Sequence, residues 1–240
     1  MTARGEKCLK NRGDYVFDTL KKEILKLELK PGQAISENEI CARFDVSRTP
    51  VREALRRLQE QGFVRTVPYS GTYVTLLNLD DIRQMIYMRI AVELMVMKDF
   101  MQVATPLLLE EVRHQIRCQE LLIQQAKFEP EEFYAMDDQM HMVWFSATGR
   151  LKLWTVIQAQ QLHYTRFRML DFVTETDFTR IIREHAGLLD MLEKRDTHDL
   201  EKALKKHLSI SMTRMKHAIE VEYRNYFEPD SIDFEENRLL

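Results

Sequence analysis

The stretch from Ser36 to Gly62 constrains the fold of this chain more than any other, because it places two short helices around a tight turn. Ser36 followed three residues later by Glu39 is a capping box, in which a hydroxyl and a carboxylate satisfy the free amides of a helix start. The tripeptide Asp45-Val46-Ser47 predicts the turn, with Ser47 as the N-cap of a second helix. Pro50 falls in the first turn of that helix, where its missing amide costs little. The pattern predicts a helix-turn-helix.

Apolar residues of the two predicted helices fall at spacings that indicate a shared buried side. In the second helix they lie three and four residues apart, which makes one stripe along the helix. The expected core positions are Ile40, Ala42, Phe44, Val51, Ala54, Leu55 and Leu58. Basic residues fall outside this stripe, so we expect them on the surface.

Arginines and small polar residues occupy the predicted exposed side of the helix-turn-helix. Arginine offers a planar fork of donors to guanine edges or phosphate oxygens, and helix-turn-helix proteins present such groups near the start of the second helix. The pattern therefore predicts a DNA-binding surface. The expected DNA-contacting residues are Ser36, Asn38, Ser47, Arg48, Thr49, Arg52, Arg56, Ser70 and Gly71. The alternative is an ordinary solvated face formed by Arg48, Arg52, Arg56 and Arg57.

Two runs rich in β-branched and aromatic residues follow the second helix and predict a hairpin. They cover Phe63 to Val67 and Thr72 to Leu76, and Pro68-Tyr69-Ser70-Gly71 joins them. A helix-turn-helix with such a hairpin is a winged helix. Upstream, residues 15–27 have the apolar spacing of one more helix, which ends before Pro31-Gly32. Its expected core residues are Val16, Leu20, Ile24 and Leu27.

Charge is distributed unevenly along the chain. Residues 1–76 contain 14 Lys and Arg against 10 Asp and Glu, and residues 77–240 contain 21 against 28. The first part therefore carries +4 and the rest −7, which fits a small basic module followed by an acidic domain. A length of 240 residues with 45% hydrophobic residues is enough for two modest domains.

Cysteine usage and the absence of long apolar runs indicate a cytoplasmic protein. Cys8, Cys41 and Cys118 are odd in number and lack the paired spacing of a metal site, so we expect reduced thiols. No apolar run approaches the length needed to span a membrane, and the N-terminal residues lack the core of a signal peptide. The sequence contains no P-loop, dinucleotide fingerprint, nucleophile elbow or His-Glu-x-x-His motif, so it predicts no enzyme.

Beyond a short linker at residues 77–80, the sequence predicts nearly uninterrupted helix. Helical periods cover 80–104, 106–127, 130–147, 151–171, 174–194 and 196–225. The expected fold is therefore mainly α, with a winged helix-turn-helix domain followed by an all-α bundle of about six helices. The expected boundaries are 10–76 for the first domain, 81–225 for the bundle and 226–240 for a C-terminal tail.

One group of polar residues in the predicted bundle has the chemistry of a metal site. Asp137 and His141 are four residues apart on one helix, so both project from the same face. His185 and His207 lie within apolar frames on the last two helices, so we expect both to face inward. Neutral imidazole and carboxylate suit zinc, nickel, manganese and iron, and bundles assemble metal sites from such groups. The alternatives are three separate histidines with ordinary partners, or Asp138 in place of Asp137.

These motifs resemble a known family. Residues 14–76 are similar to the winged-helix domain of the GntR superfamily of bacterial transcription regulators, whose motif Ser-Arg-Thr-Pro-Val-Arg-Glu-Ala-Leu is unbroken at Ser47 to Leu55. Residues 81–225 resemble the FCD effector domain of its FadR-type branch, in the pairing of Asp137 with His141 and in Glu184-His185 with His207-Leu208. The resemblance implies a ligand-responsive repressor or activator that binds an inverted repeat in double-stranded DNA as a homodimer.

The resemblance also implies a ligand set and an effector. A divalent metal, with zinc the first choice, would lie on Asp137, His141, His185 and His207 and help to hold a small carboxylate effector. Arg89 matches an arginine that often faces the pocket in this family, and its guanidinium could pair with that carboxylate. Glu93 could equally hold Arg89 in a plain intrahelical ion pair, and Arg166 is a second effector-binding candidate.

One departure and two alternatives remain. Asn38 stands where members of the family often have arginine, which implies an altered operator preference. A metalloenzyme fused to a DNA-binding module would need a general base, and the sequence offers no convincing one. A metal-free sensor of a long acyl ligand would not need the four candidate ligands that this chain retains. The sequence therefore favours a metal- and effector-binding transcription regulator.

Overall fold

The computed structural model describes residues 3–160, 162–174 and 178–234, with side chains from residue 12 onward. The chain divides into two compact units, one formed by residues 1–79 with 218–232 and the other by residues 80–217 with 233–240. Within the described ranges, no helix is long and apolar enough to cross a membrane. Cys41 and Cys118 are free thiols, and Cys8 lies outside the described side chains.

The first unit is a winged helix. Its elements are α1 (Ala3–Leu25), β1 (Ala34–Ile35), α2 (Glu37–Phe44), α3 (Arg48–Glu60), β2 (Val64–Val67) and β3 (Gly71–Val74). The three strands form an antiparallel sheet in the order β1-β3-β2. The predicted winged helix-turn-helix is confirmed, with a hairpin shorter than the expected strands and with one strand, β1, that the sequence analysis did not predict.

The core of this unit forms where α1 packs on α3. Three of the predicted positions in α1 are buried, and so is the whole predicted stripe of α3. These residues are Val16, Leu20 and Ile24 with Val51, Ala54, Leu55 and Leu58. Full burial of each large aliphatic side chain stabilises the fold by about 1.5–3 kcal/mol, so this contact fixes the position of α3.

Three core predictions in this unit were wrong in detail. Leu27 lies two residues beyond the end of α1, where its φ of 62° places it in the left-handed region and interrupts the helix. Of the residues expected to be buried in α2, only Ile40 is buried, whereas Ala42 is exposed and Phe44 is half-buried against the edge of Tyr15. A short helix of one or two turns buries a single row of side chains, so only one of the three positions reaches the core.

The turn between α2 and α3 is built by local backbone contacts. The Ser36 hydroxyl accepts a hydrogen bond from the Glu39 amide at 3.4 Å, as expected for an N-cap. Asp45 ends α2 in the left-handed conformation at φ 49°, which an aspartate tolerates better than most residues. Ser47 occupies the N-cap position of α3, but its side chain makes no capping hydrogen bond, contrary to the expected role. Its hydroxyl is exposed at the start of α3.

The segment that follows the last helix packs on the segment between the wing and the bundle. Leu77 pairs with Phe227 in a parallel bridge, through hydrogen bonds from Leu77 N to Tyr226 O at 2.8 Å and from Glu228 N to Leu77 O at 2.9 Å. The Ser231 hydroxyl accepts from Leu79 N at 3.1 Å. Phe227 is buried. Residues 226–232, which were assigned to a tail, are therefore part of the first unit.

The second unit is an all-α bundle, as predicted. Its helices are α4 (Leu79–Val103), α5 (Pro106–Ile123), α6 (Pro130–Ala147), α7 (Leu151–Gln160), α8 (Leu162–Thr174), α9 (Thr179–Lys194) and α10 (Leu200–Val221). Prolines at the first positions of α5 and α6 and left-handed residues Gly149 and Arg195 separate the helices. The single helix expected at 151–171 covers α7 and α8, and residue 161 between them lies outside the described residues.

Candidate nucleic-acid interface and metal centre

The residues predicted to contact DNA lie at the start of α2, along α3 and at the tip of the wing. Ser36, which caps α2, is half-buried, and the other eight are exposed. The exposed ones are Asn38, Ser47, Arg48, Thr49, Arg52, Arg56, Ser70 and Gly71. At the tip of the wing, Tyr69 has a positive φ of 62° and Gly71 has a φ of 139°.

Exposed arginines of α3 are held by polar partners on the surface. Arg48 Nη2 donates to Asn38 Oδ1 at 3.2 Å, and Arg52 Nε donates to Glu37 Oε2 at 3.0 Å. Ion pairs in contact with solvent contribute only about 0–1 kcal/mol, so a phosphate or a base edge can replace these partners at little cost. Arg48 and Arg52 are therefore available to DNA.

Two further arginines of α3 differ from these. Arg56 is held between two carboxylates of its own helix, Glu53 at 2.7 Å and Glu60. Arg57 donates to Asp14 at 2.6 Å and lies 3.9 Å from the centre of the Phe17 ring, so it ties α3 to α1. Arg57 is therefore set apart from Arg48, Arg52 and Arg56, which are exposed.

The predicted metal ligands converge inside the bundle. Asp137 and His141 come from α6, His185 from α9 and His207 from α10, and one ligand atom of each lies within 4.8 Å of all the others. Asp137 Oδ1 is 3.2 Å from His185 Nε2, and His141 Nε2 is 3.3 Å from His207 Nε2. Asp138 points elsewhere, because its Oδ2 accepts a hydrogen bond from Gln158 at 2.9 Å. The set with Asp137 is the one that the fold brings together.

Each histidine of this cluster has a hydrogen-bond partner at the nitrogen that faces away from the others. His141 Nδ1 lies 2.6 Å from Glu93 Oε2, His185 Nδ1 lies 2.7 Å from Gln119 Oε1, and His207 Nδ1 lies 3.1 Å from Glu184 Oε2. An oxygen acceptor at Nδ1 assigns the proton to Nδ1 and leaves the Nε2 lone pair free to bind a metal. Burial lowers the pKa of all three imidazoles, which favours the neutral form that coordinates metals.

Asp137 completes the cluster with an ionised carboxylate. Burial alone would raise the pKa of Asp137, but its ion pair with Arg168, from Nη1 to Oδ2 at 2.8 Å, helps to hold that pKa well below the usual range. Its other oxygen, Oδ1, is buried and lies 3.2 Å from the buried His185 Nε2. With the His185 proton on Nδ1, both atoms present lone pairs to each other at this distance, and a cation between them would satisfy both. Three imidazole nitrogens and one carboxylate oxygen are a donor set that fits a divalent transition metal.

Arg89 lies next to this cluster and is fully buried. Its Nε donates to Glu93 Oε1 at 2.6 Å, its Nη1 donates to the Tyr164 hydroxyl at 3.1 Å, and its Nη2 is buried without a hydrogen-bond partner. Arg89 and Glu93 therefore form the intrahelical ion pair that the sequence offers as the alternative to an effector contact. The same guanidinium still has one donor unused inside the bundle.

The second effector candidate, Arg166, lies on α8 two residues from another buried arginine, Arg168. Arg166 and Arg168 are both buried on α8, but residues two apart on a helix point in nearly opposite directions. Arg168 is the one that contacts Asp137, and the sequence analysis did not predict it. The sequence likewise does not indicate Glu93 and Gln119 as partners of the histidines, whereas Glu184 is adjacent to His185 in the chain. No periodicity or spacing distinguishes such partners in the sequence.

The remaining histidines with resolved contacts do not join the cluster. His163 Nε2 is 3.6 Å from Asp81, and His114 Nε2 is 3.5 Å from the Cys118 thiol on the same helix. Among the residues that the structure describes, one group of at least three His, Cys, Asp or Glu side chains could hold a metal, and it is the predicted one.

Comparison with known proteins identifies both parts of the chain. Residues 13–74 match the model of the family described as bacterial regulatory proteins, gntR family, and residues 84–209 match the model of the FCD domain. A transcriptional regulator from an unstable DNA locus of Streptomyces ambofaciens is 30% identical over 200 residues, which cover 82% of each chain. The transcriptional repressor RspR of Escherichia coli K12 is 26% identical over 193 residues, covering 80% of this chain and 84% of the repressor.

Solved structures share the fold. The McbR/YncC protein of E. coli aligns with a TM-score of 0.65 and 17% identity over 86% of this chain and 97% of its own. A GntR regulator from Rhodococcus sp. RHA1 aligns with a TM-score of 0.58 and 23% identity, over 87% and 99% respectively. With a winged helix that matches one model and a bundle that matches the other, the chain belongs to the gntR family of bacterial transcription regulators, in the group that carries an FCD domain.

Proposed function

We propose that this regulator binds one divalent metal ion in its bundle, and that the metal and Arg89 together hold a small carboxylate effector that changes operator binding. The observation that carries the proposal is the convergence of four ligand atoms within 4.8 Å of one another inside the bundle, among them Asp137 Oδ1 and His185 Nε2, which face each other at 3.2 Å. A cation at this point would satisfy both atoms and bring His141 and His207 into the same coordination shell.

The protein side of this site is arranged for coordination and for one further ligand. Asp137, His141, His185 and His207 would hold the metal, and a bound divalent ion would supply a Lewis acid that attracts an anionic oxygen. Arg89 Nη2 is a buried donor that lacks an acceptor, and a carboxylate is the acceptor that a guanidinium binds best. Zinc is our first choice of metal, since three imidazoles and one carboxylate oxygen are typical zinc ligands.

For DNA binding, we propose that Arg48 and Arg52 contact base edges and that a homodimer places two copies of α3 on an inverted repeat. The bundle supplies the dimer contact, since the winged helix is small and basic. Sedimentation of residues 77–240 at micromolar concentration is expected to show a dimer. A monomer would contradict this part of the proposal.

The effector acts through different affinities for two arrangements of the dimer. A ligand changes operator affinity only by the difference in its own affinity for the two states, and couplings of about 1–3 kcal/mol are typical. Whether the effector promotes or weakens DNA binding depends on which arrangement it prefers.

The test compares substitutions inside and outside the cluster. His185→Ala and His207→Ala are expected to lose the metal and the effector response, and to keep operator binding in gel-shift assays because the winged helix has its own core. His163→Ala, which removes a histidine near Asp81 and away from the cluster, is the matched control and is expected to keep metal, effector response and operator binding. Metal binding by His185→Ala and His207→Ala at the parent level would refute the proposed site.

A further inference from the structure

Two of the three clustered histidines are joined to an arginine through a single carboxylate. On α4, Glu93 accepts from Arg89 Nε with Oε1 at 2.6 Å and from His141 Nδ1 with Oε2 at 2.6 Å. On α9, Glu184 accepts from Arg180 Nη1 with Oε1 at 3.3 Å and from His207 Nδ1 with Oε2 at 3.1 Å. In both cases the arginine precedes the glutamate by four residues, so one helix turn carries each pair.

The two arrangements differ in burial. Both side chains of the Arg89–Glu93 pair are 0% exposed, whereas those of Arg180 and Glu184 are 27% and 15% exposed. A charge–charge contact without water is screened much less than one at the surface. The third histidine, His185, has the neutral amide of Gln119 as its Nδ1 partner and provides an internal reference without a carboxylate.

We propose that Glu93 is a positioning residue of the metal site that links the contacts of Arg89 to the donor strength of His141. We propose that Glu184 links Arg180 to His207 in the same way, but more weakly. This inference rests on the proposed metal at the cluster. A carboxylate on Nδ1 orients the imidazole and makes Nε2 a stronger donor, and loss of such a partner typically lowers metal affinity about 10–100-fold. Arg89 and His141 share the charge of the same carboxylate through its two oxygens, so an anion bound at Arg89 Nη2 leaves more of that charge to the imidazole. Metal and effector binding are then linked through Glu93.

The experiment measures the metal affinity of the full-length protein by competition with a chromophoric chelator. Glu93→Gln is expected to weaken zinc binding about 10–100-fold, and Glu184→Gln to weaken it less. Gln119→Glu, which gives His185 a carboxylate partner, is expected to strengthen it. The d–d absorption of the cobalt-substituted protein should shift in Glu93→Gln, because the His141 nitrogen changes its orientation and donor strength; a purely structural role of Glu93 would leave that spectrum unchanged.

The link to Arg89 is tested by a double-mutant cycle on the same affinity. Arg89→Met is expected to change zinc affinity in the parent and to have little effect in the Glu93→Gln background, since Arg89 acts through Glu93. Additive effects would overturn the link. If Glu93→Gln does not fold, NMR of the histidine rings in the zinc-loaded parent tests the inference instead. The inference requires a proton on His141 Nδ1 and the metal on Nε2. A metal on Nδ1 and a proton on Nε2 would overturn it.

The outcomes also distinguish failure of the positioning role of Glu93 from failure of the proposed metal site. A parent protein that binds no divalent metal would remove the proposed metal site and the role of Glu93 together. A parent that binds zinc, with Glu93→Gln and Glu184→Gln binding it equally well, would leave the metal site standing and would refute the positioning role alone.

Discussion

Two ion pairs of this protein have the same spacing along a helix, but one is exposed and the other is buried. Arg56 and Glu60 on α3 of the winged helix are four residues apart, as are Arg89 and Glu93 on α4 of the bundle. The side chains of the first pair are each 58% exposed, and those of the second are 0% exposed. Spacing on a helix brought both pairs together, but burial decides what each can do.

The comparison separates two uses of arginine. On the winged helix, water screens the charges, so Arg48 and Arg52 can exchange their present partners for DNA at little cost. In the bundle, Arg89 and Arg168 cannot lose their carboxylates without leaving a buried charge, so they fix the geometry of the cluster. The proposed DNA surface thus remains adaptable, and the proposed metal centre is held rigidly before any ligand arrives.

The largest expected effect comes from breaking a buried pair. Arg168→Met keeps much of the side-chain volume but leaves the carboxylate of Asp137 without its cation, which is expected to cost about 3–5 kcal/mol in the metal-free protein. Urea unfolding followed by circular dichroism measures this loss. Added zinc should restore part of the stability, because the metal would neutralise the same carboxylate. Equal stability of the variant and the parent would mean that the Arg168 contact does not stabilise the bundle.

Metal removal is expected to have the next largest effect. A ligand present at 100 times its dissociation constant stabilises the folded state by about 2.7 kcal/mol. Chelation should therefore lower the unfolding temperature of the bundle and leave that of the isolated winged helix unchanged. Calorimetry of both, with and without chelator, is the check. A chelator effect on the isolated winged helix would point to a metal outside the cluster.

Loss of an exposed arginine of α3 is expected to reduce the free energy of operator binding by an intermediate amount. Arg48→Ala or Arg52→Ala should weaken operator binding by about 1–3 kcal/mol and flatten discrimination at one symmetric base position. A phosphate contact would instead weaken all sequences alike and reduce the salt slope by about one. Gel shifts over a set of operator variants distinguish the two. Full affinity and selectivity in the double variant would exclude α3 as the recognition helix.

The smallest expected effect is the change in protein stability when the exposed ion pair of Arg56 is removed. Arg56→Ala should leave the free energy of unfolding nearly unchanged, since Arg56 and both of its carboxylate partners are exposed and water screens their charges. Urea unfolding beside Arg168→Met gives the direct contrast. A loss as large as that of the buried pair would contradict the comparison.

Much of the fold was predictable from local patterns. Caps, prolines and apolar spacing act within a few residues, so the sequence indicated α2, α3, the wing and most bundle helices, and inward-facing histidines indicated the cluster. Leu27 and Ala42 were misplaced because the end of a helix and the exact buried row depend on packing. Glu93, Gln119 and Arg168 reach the cluster from other helices, and only the tertiary structure brings these distant residues together. For the same reason, the pairing of Leu77 with Phe227 could not be predicted.

The most direct test of the account is the metal content of the full-length protein purified without chelator and then saturated with zinc. Elemental analysis is expected to find about one ion per chain in the parent and in His163→Ala, and substantially less in His185→Ala and His207→Ala, because each of these lacks one of four ligands. Absence of stoichiometric metal in the parent, or equal metal in all four proteins, would contradict the proposal that this bundle senses its effector through a metal.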